Sequence, residues 1–149
     1  MTLSFSISTS DAPELRQVAS ELVASWQKLG AKIDILVFET GDLNQNVIRP
    51  RNFEALLFGE VVGRDKDPYP FWHSSQRTDP GLNIALYANS RADKYLDNAR
   101  SANDPEVIEE NYKVFAKELE GDVPAVFLYT PSFLYVVPRK IEAINLGSL

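Results

Sequence analysis

The chain has no cysteine, one methionine and one histidine among its 149 residues. Without cysteine there is no disulfide, no zinc–thiolate site and no thiol nucleophile, although the compartment stays open because many exported bacterial proteins also lack cysteine. No apolar run approaches the ~20 residues of a membrane span, and the N-terminus lacks the basic-then-apolar pattern of a signal peptide, so the chain as written reads as soluble. Its fifteen Lys and Arg are dispersed and outnumbered by twenty-one Asp and Glu, for a net charge of −6. That balance disfavours nucleic acid or an anionic membrane as a partner, since both demand a clustered basic face. The sole methionine, Met1, stands directly before a predicted strand, as expected of a piece cut at a domain boundary.

What is present is ordinary globular material: 44% hydrophobic and 24% charged residues, enough for one core in a domain of this size. Residues 3–8 alternate apolar and polar as a strand does. Ser10 or Asp11 then caps a helix opened by Pro13 and Glu14, whose stripe of Leu15, Val18, Ala19, Leu22, Val23, Trp26 and Leu29 ends at Gly30. Residues 33–38 form a β-branched and aromatic run, the pattern of a strand covered on both faces of a parallel sheet. This βαβ unit predicts a right-handed crossover, with a short helix after Asp42.

Residues 53–58 read as a third strand, and residues 59–66 as a loop leaving its carboxyl end, the edge where open α/β sheets bind ligands. Ser90 with Asp93 has capping-box spacing ahead of an inner face of Ala92, Tyr95, Leu96 and Ala99. Asn103 or Asp104 with Pro105 starts a last helix carrying Ile108, Tyr112, Phe115 and Leu119 and ending near Gly121. Residues 125–129 and 133–137 read as strands joined at Pro131 and Ser132. There is no internal repeat and no flexible linker, so residues 1–149 are expected to form one α/β domain with an open mixed sheet flanked by helices.

The chemically interesting side chains gather between Val61 and His73. Asp65, Asp67 and His73 are close enough to be read as a metal cluster or acid/base pair, but their spacing matches no established ligand motif. Asp67 reads more simply as the cap of a short helix opened by Pro68. His73 beside Trp72 fits a hydrogen-bonded packing residue, because a general base needs an orienting partner and a substrate in reach. Tyr69, Phe71, Trp72 and His73 fit a ligand-facing wall and core filling equally. Arg64 and Asp65 are placed to meet a carboxylate or an amine, or else form a solvated pair of little energetic weight. No nucleophile elbow, glycine-rich phosphate loop or zinc-protease motif occurs, and Ser74 and Ser75 lack the Gly-flanked strand-to-helix turn of a hydrolase nucleophile.

Three stretches carry a resemblance: Gly63-Arg64-Asp65-Lys66-Asp67-Pro68-Tyr69-Pro70-Phe71-Trp72-His73-Ser74-Ser75-Gln76, Tyr87-Ala88-Asn89-Ser90-Arg91-Ala92-Asp93-Lys94-Tyr95-Leu96-Asp97-Asn98-Ala99-Arg100, and Tyr112 onward to Asp122-Val123-Pro124-Ala125-Val126-Phe127-Leu128-Tyr129. Together they resemble the C-terminal lobe of the extracellular solute-binding proteins, family 5, the oligopeptide, dipeptide and nickel receptors of ABC importers. The resemblance implies a lobe of the type II periplasmic binding protein kind. It also implies a non-catalytic role without cofactor, a larger N-terminal lobe as partner, a membrane permease beyond it, and a place in the periplasm or outside the cell. Many peptide-binding members have a tryptophan just after the third strand and then an aspartate that holds the ligand's α-amino group; here Val61 and Arg64 occupy those places, and Asp65 replaces the aspartate only by a one-residue shift. The residues implied to meet ligand are thus Val61, Arg64, Asp65, Trp72 and His73. A small α/β enzyme built on Asp65, Asp67 and His73 is the alternative, and a docking domain, self-associating through an exposed lobe face, is a third.

Overall fold

A computed structural model describes residues 3–61 and 67–132, together with Val136 and Pro138. The order of elements is β1 (Ser4–Ser10), α1 (Pro13–Gln27), β2 (Lys32–Phe38), α2 (Thr40–Asp42) running into a π-helical segment (Leu43–Ile48), β3 (Ala55–Leu56), α3 (Tyr69–Trp72), a 3₁₀ turn (Ser74–Gln76), α4 (Ser90–Ser101) and α5 (Pro105–Asp122). The three strands lie in the order β2-β1-β3 and both ladders are parallel. β1 pairs with β2 along its whole length, from Ser4 opposite Lys32 to Ser10 opposite Phe38. This is the βαβ unit expected from the period-2 and period-3.6 patterns, since a parallel pair needs a crossover and the helical stripe supplies it.

Alternation along β1 sorts its side chains. Phe5 and Ile7 point to the α1 face, where Ile7, Ile33, Leu57, Ala19, Val23 and Ala31 make a buried cluster. Phe5 and Trp26 close it at 5.6 Å between ring centroids. Each such side chain is worth about 1.5–3 kcal/mol of transfer free energy when fully buried. Gly30 turns the chain back with φ +86°, a conformation that L side chains rarely adopt. A second cluster sits between α4 and α5, built from Tyr87, Ala92, Leu96, Phe115 and Leu119, the inner faces read from the sequence. Asp104 caps α5 by accepting the Glu106 amide, also as read.

Other details differ. The cap position of α1 is Ala12, with no side-chain cap bond. Ser10 stays in the ladder opposite Phe38, and its hydroxyl reaches only the Ala12 amide, at 3.4 Å. β2 is not covered on both faces: among the described residues it is an edge strand of the sheet, and the neighbouring Leu36 and Val37, which point to opposite faces, are 43% and 46% exposed. The third strand is shorter than expected, Ala55–Leu56 paired with β1, with the Leu57 amide and the Thr9 hydroxyl extending the join by one residue. Residues 125–129 form no ladder among the described residues. The expected strand at 133–137 lies outside the described residues, Val136 apart.

α5 ends one residue beyond Gly121, and the residue that takes the left-handed conformation is Val123, φ +47°, whose amide closes on the Leu119 carbonyl at 3.0 Å. A β-branched residue in that region is a genuine outlier. It redirects the chain into 124–132, where Val126 and Phe127 stand 74% and 72% exposed.

Candidate functional site

β3 delivers the chain to its carboxyl end, and Val61 there is 92% exposed. Arg64 and Asp65 lie outside the described residues. Asp67 Oδ1 accepts the Tyr69 amide at 3.0 Å; the cap position of α3 is Pro68, not Asp67 as expected, and it makes no side-chain cap bond, so Asp67 meets the first helical amide from one residue before the cap. Its Oδ2 takes Arg100 Nε from α4 at 2.9 Å, and Tyr112 of α5 stands 3.5 Å from Oδ1. One carboxylate thereby ties the start of α3 to both long helices.

Around it the aromatic residues are stacked in order. The Arg100 guanidinium lies 4.0 Å over the Tyr69 ring, and the imidazole of His73 stacks on Tyr69 with 4.2 Å between centroids and 14° between planes. Such a sandwich combines cation–π attraction with ring stacking. His73 Nδ1 accepts the Ser75 amide at 3.1 Å and lies 2.8 Å from the Ser75 hydroxyl. That pattern makes Nδ1 the acceptor and assigns the ring proton to Nε2, which faces Asp97 at 3.6 Å and Asp93 at 3.9 Å. Trp72 packs edge-on against Tyr87 at 6.3 Å and tilts against Phe127 at 5.9 Å.

Asp93, read from sequence as the far half of a capping box, does something else. Asn89 caps α4 by accepting the Arg91 and Ala92 amides, which frees the Asp93 carboxylate to accept both the amide and the hydroxyl of Ser74. Ser74 and Ser75 are therefore helix-end polar groups, as their sequence context implied. Asn83 was not singled out by the sequence: it is fully buried, donates from Nδ2 to the carbonyls of Trp72, His73 and Tyr87, and accepts the Tyr87 amide. An Asn in a loop rich in Asp, Pro and Gly reads as a turn residue, and no local signal marks it as a hub. The Tyr87 hydroxyl in turn donates to Asp122 at 2.8 Å, as does the Asn89 amide at 2.7 Å.

The structure thus brings Asp67, Trp72 and His73 into one bonded cluster. Within it the side chains of Asp67 and His73 meet different polar partners, Arg100 and the Tyr69 amide for the one and Ser75 for the other, and among the described residues no group of three His, Cys, Asp or Glu is placed to hold a metal. A partly buried cluster of this kind positions the neighbouring chain.

A parallel sheet flanked by helices is the architecture of the periplasmic binding proteins, and comparison with solved structures places the chain in that fold. Over 82% of its length it superposes, with a TM-score of 0.76 and 26% identity, on 24% of the oligopeptide-binding protein AppA of Bacillus subtilis, solved with a nonapeptide. Two further likenesses, at 20% and 22% identity, show the fold alone. They are the ABC transporter-associated periplasmic binding protein DppA of Helicobacter pylori with the peptide STSA (TM-score 0.70, 83% of this chain, 24% of that one) and NikZ of Campylobacter jejuni with Ni(L-His) (0.69, 82% and 25%). In sequence, the chain is 28% identical over 141 residues to the oligopeptide-binding protein AppA of Bacillus subtilis strain 168, covering 93% of this chain and 26% of that protein. No protein-family model matches. The chain is similar in sequence and in fold to an oligopeptide-binding protein and spans about a quarter of that protein's length.

Proposed function

We propose that the chain forms the C-terminal lobe of a two-lobed solute-binding protein that delivers peptides to the permease of an ABC importer, in the periplasm or outside the cell, and that it catalyses no reaction. The observation that carries this reading is the alignment with an oligopeptide-binding protein over 93% of the chain, joined to the match in fold. In this reading Val61, Arg64 and Asp65 face the ligand at the carboxyl edge of the sheet, with Trp72 and His73 behind them. The cluster around Asp67 holds that edge against α4 and α5. Ligand is enclosed when an N-terminal lobe closes over it by a hinge motion, backbone hydrogen bonds giving affinity and water tolerating varied side chains. The exposed Val126, Phe127 and Tyr129 belong to the surface that meets the other lobe, and in the isolated chain they promote self-association.

Amide-resolved NMR of the chain with a mixed library of short peptides tests this. The expected outcome is a dispersed spectrum with small, millimolar-range shifts confined to residues 58–73, because half a cleft forgoes half the contacts. Micromolar binding of a peptide to the lobe alone would overturn the two-lobe reading, and saturable shifts that map elsewhere would overturn the assignment of the ligand edge.

A further inference from the structure

His73, the chain's one histidine, sits at the cap position of the 3₁₀ turn Ser74–Gln76 and caps it with its ring, Nδ1 accepting the Ser75 amide at 3.1 Å. The Ser75 hydroxyl lies 2.8 Å from the same nitrogen. A ring nitrogen accepts through a lone pair only while it carries no proton, and histidine is the side chain whose charge ordinarily changes between pH 5 and 8. Oxygen caps such as Asn stay acceptors throughout that range.

The two groups at Nδ1 respond differently to a proton there. The hydroxyl can reverse, since it donates to a neutral ring and accepts from a charged one. The Ser75 amide cannot: a backbone N–H has only a hydrogen to offer, so N–H would face N–H and the cap is lost. The ring is held where this conflict arises. It is stacked on Tyr69 with 4.2 Å between centroids, and its side chain is only 12% exposed. Its other nitrogen faces Asp97 at 3.6 Å and Asp93 at 3.9 Å, both on α4, which attract a charged ring in its present place. Two further charged groups beside it are bound elsewhere. Arg100, over the Tyr69 ring, pairs with Asp67, which Tyr112 of α5 approaches, and Arg77 donates to the Ser74 carbonyl.

The capped turn is tied to the loop that follows. The Gln76 carbonyl accepts the Asn83 amide at 3.0 Å, and Gly81 lies against that same carbonyl with no room for a Cβ. Asn83 in turn holds the Trp72, His73 and Tyr87 carbonyls. Ser74 is anchored separately, on Asp93, without the ring.

We propose that His73 makes the turn at 74–76 a pH-sensitive joint: the neutral ring caps the turn and steadies residues 77–83, and the protonated ring stays with Asp93 and Asp97, releases the Ser75 amide and loosens the turn and the loop behind it. The joint rests on these bonds alone and holds whatever solute the lobe receives.

NMR of the full chain between pH 8 and pH 5 tests this, in a range where ordinary carboxyl and tyrosine groups do not titrate. It reads the His73 ring protons, the amide resonances, and the exchange of each amide with solvent relative to its intrinsic rate. As the ring gains its proton, the Ser75 amide should lose protection about fivefold or more, the scale of one hydrogen bond. The Gln76, Gly81 and Asn83 amides should shift with the same midpoint, while the Ser74 amide keeps its protection. His73→Asn supplies a cap acceptor that does not titrate, so in that variant the Ser75 amide should stay equally protected at both ends of the range. A ring that keeps one charge state from pH 8 to pH 5, Ser75 protection that is unchanged while the ring titrates, or an equal loss of protection in His73→Asn would each overturn the joint.

Discussion

Ser74 gives both its amide and its hydroxyl hydrogen to the Asp93 carboxylate, at 2.9 and 2.6 Å, across nineteen residues of sequence. This pair of hydrogen bonds fixes the 3₁₀ turn, and the aromatic cluster beside it, to α4. Asp93 is largely shielded, with a side-chain exposure of 18%, so its charged hydrogen bonds are worth more than surface ones. Asp93→Ala should lower the unfolding free energy by about 2–3 kcal/mol in urea. Ser74→Ala, which keeps the amide donor, should cost about 1 kcal/mol. Equal losses in the two variants would mean that the hydroxyl, and not the pair, carries the anchor.

Asn83 occupies the interior of the same region with all its side-chain capacity spent on four backbone partners. Truncation leaves the Trp72, His73 and Tyr87 carbonyls short of a donor in a site with no exposure. Asn83→Ala should therefore cost about 2–4 kcal/mol, since each stranded buried group carries a desolvation penalty. Asn83→Asp should be at least as damaging, because a carboxylate has no hydrogen to offer three carbonyls. A midpoint within experimental error of the parent for either variant would show that water replaces the side chain.

These two residues mark the limit of what was legible in the sequence. α1, α4 and α5 are visible because burial on one face imposes a three- and four-residue period, β1 because its side chains alternate between two faces, and β2 because its run is β-branched and aromatic. Asp67 is readable as an acceptor at the start of α3 because its bond to the Tyr69 amide is local, two residues long, although the cap position itself is Pro68. Asp93 has the same local signature as a capping box yet bonds nineteen residues away, and Asn83 has no local signature at all. Residues 125–129 are apolar enough for a strand, but a strand exists only where another edge pairs with it, and composition does not report that edge. The candidate site divides in the same way: Trp72 and His73 are legible only as part of an aromatic run and Val61 only through the family resemblance, while the contacts of His73 with Ser75, Asp93 and Asp97 needed coordinates.

Gly81 shows a steric requirement of another sort. A Cβ built on it would stand 2.2 Å from the Gln76 carbonyl oxygen and within 2.7 Å of two further backbone atoms, so there is no flexible side chain to give way. The same loop is pinned to the π-helical end by Arg51 on the Gly81 carbonyl and by Arg49 on Asp79 at 3.1 Å. Gly81→Ala should cost about 2 kcal/mol or more and shift the amide resonances of residues 76–83, since the chain must move to admit the methyl group. Gly41→Ala, where a Cβ meets nothing within 4 Å, is the control and should be neutral or slightly stabilising in its helical turn. A Gly81→Ala protein as stable as the Gly41→Ala one would refute the close approach.

The end of α5 carries the pH dependence. Asp122 accepts from Asn89 and from the Tyr87 hydroxyl, and these bonds hold its carboxyl below the ordinary range. A carboxyl whose folded pKa lies below its unfolded value, about 3.9, adds stability that is present above that value and is lost as pH falls through the lower, folded pKa. Tyr87 moves the other way: burial first, then the bond to Asp122, push its hydroxyl above the usual value of about 10. Its contribution is full below pH ~10 and disappears as the pH rises toward the folded value. Thermal unfolding followed from acid to alkaline pH should therefore fall at both ends. Asp122→Asn should flatten the acid limb and shrink the alkaline one, because it removes the charge that opposes tyrosinate formation. Tyr87→Phe should abolish the tyrosine part of the alkaline limb while leaving an acid limb supported by Asn89 alone. Limbs that are unchanged in both variants would place the pH dependence of this lobe in other groups and remove the Tyr87–Asp122 pair from its account.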